Sequence, residues 1–442
     1  MQSTNKKTAD FLKSVCNEIK FKNIHNDIKK ELSNHIEDQK DNFVKQGINE
    51  NIATEKAIKQ MGDPVTIGTK LNKIHRPYTD WPILSIIAIF ILLSGIVQYF
   101  MSSVYSYTFV SIYRFFIYSV IGIVMFAFIY FSDYSFLKNS SIKTFFVLLT
   151  ILLLSIIKFN VINGTYTFLY YFTLLFIPLL ASIMYKFKDS SYLGILLSNI
   201  FFITLMCIFI FTNAKTSIVL LSISCFLTFT FAIIKGGFGK NKILSLIIAY
   251  VPNLITIIAL YINGFFSSFI NCTFYPNKDP MNYGYLILLV RKLISTSKPF
   301  EGSNSTFTNL ALPNDYTLTF LISTFGYIPG ILIIGILTIF IIRIFALVFK
   351  QKNLFESILS FSICLVISEQ IILYILSNTG VISGNFMTVL PLISYGSLGF
   401  IFNIVLIGLL LSMYRTKNVI NKSNKNLSNI KFFFSKHESK SN

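Results

Sequence analysis

Ten apolar runs, each long enough to cross roughly 30 Å of hydrocarbon, follow one another along this chain after Asp80. They occupy residues 82–101, 108–131, 142–159, 165–185, 192–212, 217–234, 243–262, 318–349, 354–376 and 390–414. Backbone polar groups inside lipid must be satisfied within the segment, so runs of this length predict an all-α polytopic membrane protein with about ten transmembrane helices. Composition agrees: 53% of the 442 residues are hydrophobic and 13% charged, against about 25% charged in soluble domains. Trp81 opens the first run, where an interfacial anchor belongs, although simple packing explains it equally well.

Lysine and arginine set the expected orientation. A net charge of +19 in a soluble protein would suggest nucleic acid, but here the basic residues lie in the termini and in short loops. They read as topology determinants and contacts to anionic membrane lipid, and no nucleic-acid partner is expected. Lys138, Lys143, Lys186, Lys188, Lys235, Lys240, Lys242, Lys350, Lys352 and the basic 415–417 segment fall on the side of the N-terminal segment. Both termini are therefore expected in the cytoplasm. Loops on the other side are short and nearly uncharged, except residues 263–317, longer than an ordinary connection and of a length usually functional or disordered. Within it, 285–294 is amphipathic and predicts a short helix lying at or dipping into the interface.

The chain divides into residues 1–80, a small cytoplasmic helical domain; 81–415, the membrane domain; and 416–442, a basic tail expected to be disordered. The first 80 residues are polar and helix-patterned, unlike a secretory signal peptide. Ile24, Ile28, Leu32 and Ile36 form one apolar stripe at i+4 steps, predicting a core face within three or four short helices. Gly47 ends the long helix and Asn49 caps the next; Gly62, Asp63 and Pro64 read as a terminating glycine, an N-cap and a first-turn proline.

Chemistry is constrained by what each side of the membrane holds. On this topology all four histidines, His25, His35, His75 and His437, are cytoplasmic, which excludes a histidine base or histidine-ligated metal on the far side. The five cysteines, Cys16, Cys207, Cys225, Cys272 and Cys364, make neither a disulfide framework nor a metal motif. Asp279, Glu301, Asp315 and Glu369 are the acids left outside and in the membrane core. Asp315 precedes a transmembrane run, where a carboxylate either complements the helix dipole or is free to react. Asp279, before Pro280, reads as a turn residue. Glu369 is mid-span, where a charge costs roughly 2.5 kcal/mol or more, so it should face the bundle interior. Arg114 lies nearer an edge and is able to snorkel. Arg291, Lys292 and Lys298 give the long loop the cationic character a pyrophosphate needs, or serve as interfacial anchors.

Three segments resemble motifs of the SEDS family, the shape, elongation, division and sporulation proteins. The stretch DPMNYGYLILLVRK resembles the family's D-P-x-g-x-G-Y-x-x-x-Q-S-K through Asp279, Pro280, Gly284, Tyr285 and Arg291. The stretch ALPNDYTLTFLISTFGYIPG is similar to L-P-x-x-x-T-D-F-x-F-x-x-x-x-E-E-x-G-x-x-G, with Asp315 at the acidic position and Gly326 at the family's spacing. The stretch SNTGVISGNFMTVLPLISYGSLGF resembles the family's N-x-G-x-x-x-G-x-x-P-x-x-G-x-x-L-P-F-x-S-Y-G-G-S through Asn378, Gly380, Gly384, Leu390, Pro391, Ser394, Tyr395 and Gly396. The sequence departs from these patterns at Asn314, Tyr316 and Ser323-Thr324, and reduces a glycine-rich segment to residues 297–302. Residues 47–64 separately resemble a helical prefix domain found before some bacterial permeases.

The resemblance implies an enzyme of the bacterial cytoplasmic membrane: a peptidoglycan glycosyltransferase polymerising lipid II on the outer face, with undecaprenyl pyrophosphate as leaving group. Carried over residue by residue, it implies Asp315 as general base and Asp279, Arg291, Lys298, Asn378 and Ser394 as substrate-binding residues. It also implies a class B penicillin-binding protein as partner, and leaves a divalent cation such as Mg or Mn as the cofactor to consider. A lipid-linked precursor flippase and a non-catalytic scaffold for a transpeptidase are the competing expectations.

Overall fold

A computed structural model describes residues 2–20, 25–74, 79–104, 110–158, 168–262, 264–281, 284–303, 316–351, 353–383, 390–392 and 398–415. The chain forms two compact units, Met1–Thr79 with the residues from Tyr414 onward, and Asp80–Met413.

In the first unit the polar sequence with a single apolar stripe becomes four helices: α1 (Gln2–Asn17), α2 (His25–Lys45), α3 (Glu50–Met61) and α4 (Pro64–Ile74). Their apolar faces bury Phe11, Leu12, Val15, Ile19, Ile28, Leu32, Ile36, Ala57, Met61 and Leu71 in one core. Three of the four stripe residues are thus core; Ile24 lies outside the described residues. Each predicted helix boundary is made by the expected chemistry. The Asn49 side chain accepts from the Asn51 amide at 3.0 Å, and Asp63 accepts from the amide and hydroxyl of Thr66 at 2.8 and 2.7 Å. Gly47 and Gly62 hold φ of 85° and 94°, conformations costly for any residue with a Cβ.

The second unit contains α5 (Trp81–Val104), α6 (Val110–Phe131), α7 (Ser135–Lys158), α8 (Phe168–Lys186), α9 (Ser191–Phe211), α10 (Lys215–Ile234) and α11 (Lys242–Ile262). Two short helices follow, α12 (Phe265–Phe274) and α13 (Tyr285–Thr296), then α14 (Thr317–Phe325), α15 (Tyr327–Phe349), α16 (Leu354–Asn378) and α17 (Leu398–Arg415). Among the described residues there is no strand, and nine helices are long and apolar enough to cross a membrane. The tenth, α6, is 22 residues long with Arg114 near its start and an apolar body at Phe115–Phe131. The chain is a multi-pass membrane protein. Successive crossings place the α6–α7, α8–α9, α10–α11 and α15–α16 junctions at one end, here the lysine-rich end. The described parts of the 263–317 connection and the end of α16 lie at the other, the loop end.

Helix α16 is the axis of this unit, buried along most of its length and packed on α8, α10 and α15. Several buried polar groups there are paired, which lowers the cost of placing them in lipid. The Tyr170 hydroxyl of α8 donates to Gln370 Oε1 at 2.7 Å, and Gln370 Nε2 donates to Asn403 Oδ1 of α17 at 3.2 Å. Pro252, inside α11, has no N–H for the carbonyl of Ile248, and Asn199 of α9 donates its amide to that carbonyl at 3.3 Å instead. Where α5 begins, buried Asp80 accepts from Arg343 of α15 at 3.1 and 3.2 Å.

Two expectations change. The 318–349 run is longer than one crossing needs, and it is cut into α14 and α15 at Gly326, whose φ is 91°. A Cβ on Gly326 would stand 2.6 Å from the carbonyl oxygens of Lys298 and Pro299. The amphipathic 285–294 stretch is helical, as α13, but its apolar residues Ile287, Val290 and Leu293 are buried and the helix packs on α14. That face meets protein, because α14 supplies an apolar surface at the same level.

Candidate functional site

The loop end gathers described parts of the three resembling segments around the last turns of α16. Tyr374 and Asn378 stand one turn apart on that helix, and both reach the start of α14. The Leu318 amide donates to the Tyr374 hydroxyl at 3.1 Å, and the Thr319 amide to Asn378 Oδ1 at 3.2 Å. Thr319 Oγ1 donates to the Asn378 carbonyl at 2.8 Å, while Asn378 Nδ2 donates back to the Tyr374 carbonyl at 3.1 Å. The residue that would cap α14, Tyr316, makes no side-chain capping bond. A neighbouring helix thus supplies the acceptors that a local cap normally offers.

Arg291 ties the rest of the loop to the same place. Its Nε donates to the Gly380 carbonyl, just past the end of α16, at 2.8 Å, and its Nη2 to the Thr273 carbonyl at the end of α12 at 3.3 Å. Thr273 Oγ1 accepts from the Ser383 amide at 3.2 Å. Gly380 holds φ of 71°, and a Cβ there would meet Arg291 Cγ at 2.9 Å, so a glycine is needed for this approach. Asp279 is half-buried in the turn between α12 and α13, its carbonyl accepting from the Gly284 amide at 2.9 Å. Lys298 is exposed and paired with Glu301 at 2.7 Å. Its segment is clipped across the α14–α15 corner by Tyr327 N to Lys298 O at 3.1 Å and Ser303 N to Ser323 O at 2.8 Å.

Of the residues expected at the site, Arg291 and Asn378 are therefore brought together through the Gly380 turn, and Lys298 sits at the α14–α15 corner. Asp315 and Ser394 lie outside the described residues. Asp315 precedes Thr317, the first residue of α14, by two positions. Tyr374 was not foreseen; its only sequence signal is the i+4 spacing from Asn378 and, before it, from Gln370. Glu369 faces the interior as expected: Oε2 accepts from Ser224 Oγ at 2.8 Å, and Oε1 has no hydrogen-bond partner among the described residues. Glu356 is a second buried acid that sequence did not single out, accepting from the Tyr134 hydroxyl at 2.6 Å. Among the described residues no three His, Cys, Asp or Glu side chains group as a metal site.

No family model matches the sequence, and no curated protein matches it. Solved structures do match. One, described as "Structural coordination of polymerization and crosslinking by a peptidoglycan synthase complex", aligns with a TM-score of 0.57 at 14% identity, covering 77% of this chain and 98% of that one. Thermus thermophilus rod shape determining protein RodA aligns with a TM-score of 0.51 at 14% identity, over 77% of this chain and 97% of that one. An aspartate-to-alanine mutant of the same RodA gives 0.52 at 14% identity, over 77% and 98%. This protein therefore has the all-α, multi-pass fold of those RodA structures.

Proposed function

We propose that this chain is a SEDS-family glycosyltransferase of the bacterial cytoplasmic membrane that polymerises lipid II on the outer face, with both termini in the cytoplasm. The observation that carries the reading is the capping of α14 from outside. A capping side chain takes the second or third amide of a helix. Here those amides, Leu318 and Thr319, already donate to Tyr374 and Asn378. The helix does not need the carboxylate of Asp315 as its hydrogen-bonding cap, which leaves that group for chemistry.

In the reaction the 4-hydroxyl of one sugar attacks the anomeric carbon of another, inverting it. Asp315 takes the hydroxyl proton as the new glycosidic bond forms. The bond from the anomeric carbon to the pyrophosphate oxygen breaks, and undecaprenyl pyrophosphate leaves with the bonding pair. Lys298 and Lys292 supply positive charge for it. Arg291 spends two donors on backbone carbonyls and shapes the site between α12, α13 and α16. Asn378 and Tyr374 hold the start of α14, and Asp279 and Ser394 complete the substrate-binding set. The partner is a class B penicillin-binding protein; the likeness to a structure named for coordinated polymerization and crosslinking supports it.

Purified chain given lipid II should form glycan strands. Asp315→Asn should lower turnover by about 10²–10⁴-fold, the usual loss for a positioned base, with folding intact. Near-normal polymerisation by that variant removes Asp315 as base. A lipid-linked precursor carrier is the second reading, favoured by Glu369 Oε1 in the bundle core, which has no hydrogen-bond partner among the described residues. Lipid translocation in liposomes without polymerisation would replace the first reading by this one, and neither activity would leave the scaffold.

A further inference from the structure

At the lysine-rich end, where α7 begins and α8 ends, a tyrosine is held in place and surrounded by cations. Tyr185, the penultimate residue of α8, packs on Phe355 with ring centroids 5.0 Å apart, and Phe355 stacks on Tyr134 at 6.4 Å. Tyr134 is itself fixed by its bond to buried Glu356. Lys138 Nζ lies 5.7 Å from the Tyr185 ring centroid and Lys188 Nζ 4.5 Å, and Lys188 also donates to the Tyr185 hydroxyl at 3.4 Å. Lys186 follows directly in sequence. None of these three lysines forms an ion pair among the described residues. Of the nearby acids, Asp133 accepts from the Ser135 amide at 2.9 Å, and Asp189 is exposed in the turn that follows α8.

Ordinary helix electrostatics explains part of this cluster. Lys186 ends α8 and Lys188 lies two residues beyond it, where the dipole favours cations. Lys138 stands two residues before Ser140, whose φ of -116° and ψ of 18° interrupt α7, so it belongs to a short segment with little dipole of its own and is not held there by the dipole of α8. The Lys138 and Lys188 ammonium groups are at most about 10 Å apart, a distance comparable to a Debye length, and repel one another. Cation–π attraction to one ring offsets this repulsion only partly. The arrangement has the charge, the rigidity and the hydroxyl donor for an anion. Its level is that of the membrane boundary, since the apolar body of α8 ends at Tyr185 and that of α7 begins at Ile142.

We propose that Lys138 and Lys188, arranged about the Tyr185 ring, bind the phosphodiester headgroup of an anionic membrane phospholipid. The two ammonium groups pair with the phosphate oxygens and the Tyr185 hydroxyl donates to them. The site lies at the opposite end of the unit from the residues of the proposed reaction and does not depend on it.

Native mass spectrometry of the full chain, with cardiolipin or phosphatidylcholine titrated in, tests this. The parent should retain cardiolipin in preference to phosphatidylcholine. Lys138→Gln with Lys188→Gln should weaken that retention roughly thirtyfold, while Lys138→Arg with Lys188→Arg keeps it. Lys240→Gln with Lys242→Gln, which removes the same charge at another junction of the same end, should weaken it much less. Lys138 is exposed, so the single Lys138→Gln variant carries the test if the pair does not fold. Equal retention of both lipids by the parent, unchanged cardiolipin retention in the Gln variants, or displacement of cardiolipin by inorganic phosphate alone would overturn the proposal. So would a cluster that ignores lipid and instead binds an acidic peptide.

Discussion

Asn378 uses every hydrogen-bonding group of its side chain on protein: Oδ1 on Thr319, Nδ2 on the Tyr374 carbonyl. Truncation to alanine would leave the buried Thr319 amide without its acceptor and loosen the start of α14. Asn378→Ala should therefore cost about 1–3 kcal/mol of stability, read as a lower melting temperature in detergent. Turnover should fall through kcat more than KM, because the defect is in placing Asp315 and not in holding substrate. A rise in KM alone would return Asn378 to direct substrate contact. At this scale the sequence was legible only where a residue type carries its own reason. Glu369 could be placed inside because a mid-span carboxylate has nowhere else to go. Glu356 and Asp80 could not be foreseen in the same way, since their partners Tyr134 and Arg343 are 222 and 263 residues away in sequence.

Elements were legible where period and caps agree, and hidden where an apolar run continues through a change of direction. Residues 318–349 read as one span because the chain stays apolar on both sides of Gly326, and the signal for the break is that glycine alone. The mid-helix proline of α11 is a similar case, because its consequence depends on a neighbour. Pro252 frees the Ile248 carbonyl, and Asn199 of α9 takes it up. Asn199→Leu should destabilise the membrane unit by about 1–2 kcal/mol by leaving that carbonyl unpaired in an apolar bundle. Pro252→Leu restores an N–H to the helix, so the double variant should recover much of the loss. A thermal-melt double-mutant cycle measures the coupling, and strictly additive effects would mean that Asn199 acts elsewhere.

For the molecule as a whole, the division of labour follows from where apolar surface is placed. Helices α1–α4 bury one small core among themselves. A chain of this size is marginal without disulfides or metal, and caps of about 1 kcal/mol each then matter to whether it folds. We expect residues 1–79 expressed alone to be monomeric and helical, and to unfold cooperatively by circular dichroism. Their removal from the full chain should leave lipid II polymerisation within a few-fold of intact, because the proposed reaction uses only groups of the second unit. Acid should reveal the caps. Thr66, through its hydroxyl first and its amide second, holds the Asp63 carboxyl below the usual aspartate range. Lys7 does the same for Glu55 across α1 and α3. A carboxyl lowered in the folded state stabilises it fully above the unfolded value and loses that contribution as pH falls through the lowered one. The isolated unit should therefore melt at a constant temperature near neutrality and progressively lower below about pH 4. Asp63→Asn retains an acceptor for Thr66 but has no proton to gain, so its melting temperature should fall less steeply over that acid limb. An equally steep acid limb in Asp63→Asn would assign the pH dependence to other carboxylates and leave Asp63 as a cap whose charge is unimportant.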